Sequence, residues 1–174
     1  LQAAEYYLQV KAANPNPNAT IAFTGHSLGG GLAALMGVFF GKQAVTFDEA
    51  PFAESATPNF LPPDVAANLK AALLQNGHTE LELAPLTDYL AQRAVAGGIP
   101  HSDMVSGIAV SGELLFGFPY NVVNRIGLWT NINHNAPGVS GEELHSQALL
   151  TAFLQSKGTA QSGQALNDVT FKLT

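Results

Sequence analysis

The sequence predicts an α/β fold with a mostly parallel sheet of four or five strands and helices on both faces. Three observations predict it. Short apolar runs rich in β-branched and aromatic residues lie at 19–24, 44–52 and about 104–112, each bounded by turn residues. Runs of that kind suit strands buried on both faces, as in parallel sheets. Leu28–Phe40 is apolar all round and reads as a helix buried against such a sheet. A glycine-rich turn, GHSLGG, joins the first run directly to that helix.

Composition bounds the rest. The 174 residues fit one domain with a sizeable core. Charged residues make up only 11% of the chain, against about a quarter in ordinary soluble domains. A net charge of −6 without a basic cluster argues against a nucleic-acid partner. There is no cysteine, which excludes disulfides, thiolate metal sites and thiol nucleophiles. No run of 18 apolar residues suggests a stable membrane span. An exported, extracellular bacterial protein fits the missing cysteines; a cytoplasmic one fits as well.

The elements follow in order. Leu1–Ala13 reads as a helix with Leu1, Tyr7 (or Ala4) and Leu8 on one face, stopped by Asn14-Pro15-Asn16-Pro17-Asn18. The strand at 19–24, the buried helix ending at Gly41-Lys42 and the strand at 44–52 come next. Residues 51–102 read as a helical insertion with helices at about 63–76 and 85–96. With Phe52, Phe60, Leu61, Leu73 and Leu74, it is either a lid or a pair of packed helices. A third strand falls within 103–115, a loop-rich stretch within 116–140 and a helix at Glu142–Leu154. The closing VTFKLT reads as one more strand.

Gly25-His26-Ser27-Leu28-Gly29 matches G-x-S-x-G in the context that gives the motif meaning, after a strand and before a helix. A serine in such a tight turn projects its hydroxyl above the sheet edge. Glycines at 25 and 29 avoid collisions across the turn, and Gly30 and Gly31 allow close approach of the helix. An N-cap serine would explain Ser27 but not the glycines around it. Ser27 is therefore the candidate nucleophile, with the Leu28 N–H as candidate oxyanion donor at the helix N-terminus.

TGHSLGGGLAALMG resembles the elbow of class 3 lipases and related bacterial lipase-like domains of the α/β-hydrolase superfamily. VTFDEAPF resembles the strand that follows it there. The resemblance implies a single lipase-like domain over 1–174, or the C-terminal part of one. It implies hydrolysis of lipid-like or small carboxylic esters through a Ser–acid–His triad and an acyl-enzyme, without cofactor or metal. Such domains carry several strands before the elbow. Here a single helix precedes it, so either an upstream polypeptide segment completes the sheet and supplies the second oxyanion donor, or the fold is reduced.

Five histidines are candidates for the base: His26, His78, His101, His134 and His145. His26 reads as a packing or hydrogen-bonding residue of the elbow, and His78 and His101 lie in or beside the insertion. The chain order Ser…acid…His favours His145, with His134 as the alternative. For the acid, Glu113 follows the strand before His145, where the family usually carries aspartate. Asp48 at the end of the strand after the elbow is the alternative, and Asp103 a third option. Three rivals remain: a peptidase or thioesterase that uses the same triad on another acyl group, a catalytically inactive module of a larger exported protein, and a lipase-type toxin effector.

Overall fold

The computed structural model describes residues 1–14, 16, 18–58, 64–95, 97–115, 124–132, 138–148 and 150–151. Among the described residues, four strands form one sheet in the order β1 (Phe23–His26), β2 (Ala44–Phe47), β3 (Val105–Val110), β4 (Leu128–Ile132). Every pairing is parallel, with Phe23 opposite Ala44, Ala44 opposite Val105 and Ser106 opposite Leu128. Parallel strands need crossovers, and the helix between β1 and β2 is the first of them. Because all four strands run the same way, the segments leaving their C-terminal ends meet on one side of the molecule. Those segments carry Ser27, Asp48, Glu49 and Glu113.

Among the described residues, helices α1 (Gln2–Ala13), α2 (Leu28–Phe40), α3 (Ala53–Ala56), α4 (Val65–Gln75), α5 (Ala84–Val95) and α6 (Gly141–Leu144) surround the sheet. The all-apolar α2 buries Ala34, Val38, Phe39 and Phe40 almost completely. It ends where Gly41 adopts φ 59° and the Lys42 N–H reaches the Gly37 carbonyl. That left-handed turn is one glycine enters without a Cβ penalty. Tyr7 of α1 packs on Phe40, with ring centroids 4.6 Å apart, and Tyr89 of α5 packs on Phe39 at 4.9 Å. Leu69 and Leu73 of α4 join the same cluster, as does Leu86 of α5. The Asp64 side chain caps α4 and also holds Arg93 of α5. A second cluster, Val110, Ile132, Leu144 and Leu150, gathers with Phe47 and Ile108. Val105 belongs to the first cluster while Ile108 and Val110 belong to the second. Alternation along a strand puts these on opposite faces of the sheet.

Several elements differ from the sequence reading. Leu1 is not on the buried face of α1; Ala4, Tyr7 and Leu8 are, and Leu1 is exposed. The first strand begins at Phe23, not residue 19, because its neighbour β2 reaches only from Ala44 to Phe47. The stretch read as loop contains β4, an edge strand among the described residues, entered through Gly127 at φ 94°. The helix expected at Glu142–Leu154 breaks after Leu144, and a further helical turn follows from 147. The His145 carbonyl, which a continuous helix would pair internally, instead accepts the His26 Nε2–H. VTFKLT, Phe60 and Leu61 lie outside the described residues. None of the described helices is long and apolar enough to cross a membrane.

The core makes a direct expectation. Phe39→Ala should cost about 3–5 kcal/mol in urea unfolding, the range for an aromatic truncated in a close-packed core. Leu81→Ala, at an 85% exposed position, should stay within about 0.5 kcal/mol.

Candidate active site

The chain between β1 and α2 turns sharply at Ser27, whose φ is 56° and ψ −125°. Such a backbone is strained for any residue with a Cβ and persists only when its surroundings fix it. Here three backbone hydrogen bonds do so. The Ser27 N–H donates to the Phe47 carbonyl at 3.0 Å, and the Ser27 carbonyl accepts from Gly31 at 3.1 Å and Ala50 at 2.9 Å. Glycines make the turn sterically possible. A Cβ at Gly25 would overlap the Gly29 carbonyl, and one at Gly30 would lie 2.9 Å from the Glu49 Cβ. Gly29 is different from its expected role, because a Cβ there would meet nothing within 4 Å. It lies on the exposed side of the first turn of α2, so no collision forces glycine there.

His145 reaches this serine from the far end of the chain. Its Nε2 lies 2.8 Å from Ser27 Oγ and its Nδ1 lies 2.7 Å from Glu113 Oε2. With a carboxylate as acceptor, Nδ1 carries the proton and Nε2 is left to accept from the serine hydroxyl. Local structure explains how His145 arrives there. Ser140 and Glu143 form a reciprocal capping box that starts α6, and His145 caps its end. Gly141 packs against the turn after β3, where its carbonyl accepts the Leu114 N–H at 2.9 Å. Leu144 anchors the helix in the second core cluster.

Glu113 is buried, and its side chain has no exposure. Its Oε2 also accepts the Leu115 N–H at 2.7 Å, while Oε1 accepts from Arg125 at 2.7 Å. Asp48 is equally buried but is committed elsewhere. Its Oδ1 accepts the Val110 N–H at 2.8 Å, and its Oδ2 has no hydrogen-bond partner, the nearest basic atom being His26 Nε2 at 4.0 Å. Burial pushes the Asp48 carboxyl up to about 6, against the pull of the Val110 N–H. The geometry thus brings Glu113, and not Asp48, to the His145 ring.

His26 does point away from Ser27. Its Nε2–H donates to the His145 carbonyl at 2.9 Å, and the two imidazoles lie 4.9 Å apart. Burial, and then the neighbouring His145, hold the His26 pKa below its usual value, which favours the neutral ring that this bond uses. The other candidates are remote from this cluster. Asp103 lies in a short 3₁₀ turn at the N-terminal end of β3, opposite the end that carries Ser27. His101 donates to the Val38 carbonyl, and His78 bonds Glu5 of α1. His134 lies outside the described residues. Leu28 opens α2, so its N–H is one of the first-turn groups with no acceptor inside the helix. His26, Asp48 and His145 offer ligand atoms within 4.8 Å of one another, but both His145 nitrogens and His26 Nε2 are already hydrogen-bonded.

Two residues that sequence reasoning did not single out hold this arrangement. Arg125 grips Glu113, and Glu49 accepts the Ile126 N–H through Oε1 at 3.1 Å, fixing the segment that carries Arg125. A glutamate beside Asp48 at a strand end was the only sequence signal for the second.

Residues 3–78 match a family model described as a Tle-like phospholipase domain. The matched segment includes the Ser27 turn, α2 and β2. The chain is also 47% identical over 57 residues to a protein named "Putative lipase ATG15" from Cryptococcus neoformans var. neoformans serotype D, strain B-3501A. That match covers 30% of this chain and 11% of the relative. The same protein from strain JEC21 matches equally, over 10% of its length. The chain spans about a tenth of the length of these curated relatives. Over the matched residues the chain is similar to lipases and phospholipases.

Glu49 gives a pH-dependent expectation. Burial pushes its carboxyl from 4.5 up to about 7, opposed by Thr46 and by the Ile126 N–H. A raised carboxyl favours the folded state at low pH, and that contribution fades as pH rises from about 4.5 through 7. Glu49→Gln removes this titration and keeps an acceptor for Ile126. Its melting temperature should therefore rise relative to wild type between pH 5 and pH 8. A constant difference across that window would show that Glu49 ionises alike in both states.

Proposed function

We propose that the chain is a serine hydrolase of lipid-like carboxylic esters, built on the α/β-hydrolase plan of the class 3 lipases. The observation that carries this reading is the continuous hydrogen-bonded line Ser27–His145–Glu113, with both contacts below 2.9 Å. The similarity to phospholipase and lipase sequences around the same serine supports it.

Each residue has a role that its position suits. His145 Nε2 takes the Ser27 proton as Oγ attacks the ester carbonyl carbon, and Glu113 orients the ring and stabilises its cationic form. The developing oxyanion is held by the Leu28 N–H and the positive end of α2. His145 then passes the proton to the departing alcohol, leaving an acyl-serine. Water repeats the sequence: His145 accepts its proton as the water oxygen attacks the acyl carbon, then returns that proton to Ser27 Oγ as the Oγ–acyl bond breaks and the acid leaves.

The surface beside the serine suits an apolar substrate. Leu28 and Leu32 of α2 are exposed next to Ser27. An open groove of about 480 Å³ runs from Gly29 past Leu32 and Met36 to Ile21, Tyr6 and Val10. It follows the outer edge of β1, which has no second strand neighbour among the described residues. In this reading an upstream polypeptide segment that completes the sheet covers the β1 side of this groove, and Leu28 and Leu32 remain beside the serine for the substrate.

Hydrolysis of p-nitrophenyl esters and of phospholipid in mixed micelles tests the assignment. Ser27→Ala and His145→Ala should each lose turnover by several orders of magnitude while keeping the circular dichroism spectrum. Glu113→Gln should lose up to about 10⁴ in kcat, the effect of an acid unable to hold the right tautomer. Asp48→Asn should retain most activity, since an amide oxygen still accepts the Val110 N–H. Turnover that depends on Asp48 and ignores Glu113 would overturn the assignment of the acid; turnover unchanged in Ser27→Ala would overturn the mechanism.

A further inference from the structure

A glutamate carboxylate rotates easily about its last bond, whose torsional preference is broad. The bond from Glu113 to His145 therefore needs something to hold the carboxylate plane. Glu113 Oε2 faces the His145 Nδ1–H and the Leu115 N–H; both approach the same oxygen. The other oxygen, Oε1, receives Arg125 Nη2 at 2.7 Å, and the same nitrogen lies 3.3 Å from the Leu115 carbonyl. Arg125 is thus braced against the segment it is fixing.

Arg125 is itself held in place. Its guanidinium lies over the Trp129 ring, 4.8 Å from the centroid. The indole Nε1–H donates to the Ile126 carbonyl at 3.3 Å, which sets the ring's tilt. Trp129 belongs to β4 and pairs with Gly107 of β3. A Cβ at Gly107 would overlap the indole, so glycine there gives the ring its seat. From the other side, Glu49 and Ala53 fix the backbone on either side of Arg125 through the Ile126 N–H and the Asn124 carbonyl.

We propose that Arg125, seated on Trp129 over Gly107, is a positioning residue for the reaction, setting the plane of the Glu113 carboxylate so that Oε2 faces His145. This rests on the serine-hydrolase reading above. Among the described residues the guanidinium hydrogen-bonds Glu113 and the Leu115 carbonyl and not Ser27, so it acts on the serine through Glu113. It also offsets the desolvation of a carboxylate with no exposure, which a single neutral donor would do poorly. The seat explains why lysine is a poor replacement: a guanidinium stacks flat on an indole while directing an N–H along its plane, and an ammonium lacks that plane.

The test compares Arg125→Ala, Arg125→Lys and wild type in hydrolysis of p-nitrophenyl butyrate, together with the proton NMR resonance of the His145 Nδ1–H. In Arg125→Ala, kcat should fall at least about tenfold, equivalent to about 1.4 kcal/mol of transition-state stabilisation. KM should stay within about twofold, because the residue does not touch substrate. The strongly downfield His145 proton should broaden or disappear. Millimolar guanidinium chloride should restore much of the rate, and equal sodium chloride should not. Arg125→Lys should fall between the two. Should Arg125→Ala fail to fold, Arg125→Met keeps the stem without donors and is expected to give the same losses. Wild-type kcat and an unchanged low-field proton in a folded donor-free variant would overturn the role of Arg125 while leaving the hydrolase reading intact. Wild-type turnover no greater than that of Ser27→Ala would overturn that reading and this role together.

Discussion

The left-handed backbone at Ser27 is the constraint from which the rest of the site follows. A serine at φ 56° sits uneasily between a strand and a helix, and three backbone hydrogen bonds lock it there. One of them is to Phe47, the last residue of β2, and another to Ala50, just beyond it. The turn can therefore form only when β1 and β2 are paired in register. Glycine at 25 and at 30 is then obligatory, because the close approach leaves no room for a side chain. From Ala33 to Phe40 the helix that follows must be apolar, since it is covered by the sheet on one side and by α5 on another.

Parallel pairing does the remaining assembly. Every strand ends on the same side, so residues far apart in the chain arrive together without long connections across the sheet. This convergence carries an electrostatic burden. Asp48, Glu49 and Glu113 are all buried beside one another at strand ends. They are resolved differently. Glu113 has His145, Leu115 and Arg125 as partners, whereas Asp48 and Glu49 each leave one oxygen without a hydrogen-bond partner, and burial pushes their carboxyls up to about 6 and about 7. The difference comes from β4 and the segment before it, which bring Arg125 to one carboxylate and only a backbone N–H to another.

The sequence made the elbow legible because its chemistry is local: a strand, a turn and a helix within some twenty residues, with glycines where chain meets chain. The all-apolar α2 and the helices at 65–75 and 84–95 were legible for the same reason. β4 was not, because its start depends on Gly127 at positive φ and its packing on Gly107 making room for Trp129. Neither signal shows in hydrophobic periodicity. For the choice between Glu113 and Asp48 the sequence offered only chain order, which favoured Glu113. Both follow strands, and the three-dimensional position of His145 separates them. Arg125 gave no sequence signal at all, since its value lies in what it faces across twelve residues of chain. Gly29 shows the opposite error: a motif glycine read as a steric necessity occupies open space.

In the proposed mechanism Ser27 owes its reactivity to His145. Intact chain treated with a fluorophosphonate and digested for peptide mass spectrometry tests it most directly. One adduct is expected, on Ser27 in the Gly25–Gly29 turn, formed far more slowly when His145 is replaced by alanine. An adduct on another serine, or labelling of Ser27 at the same rate without His145, would contradict it.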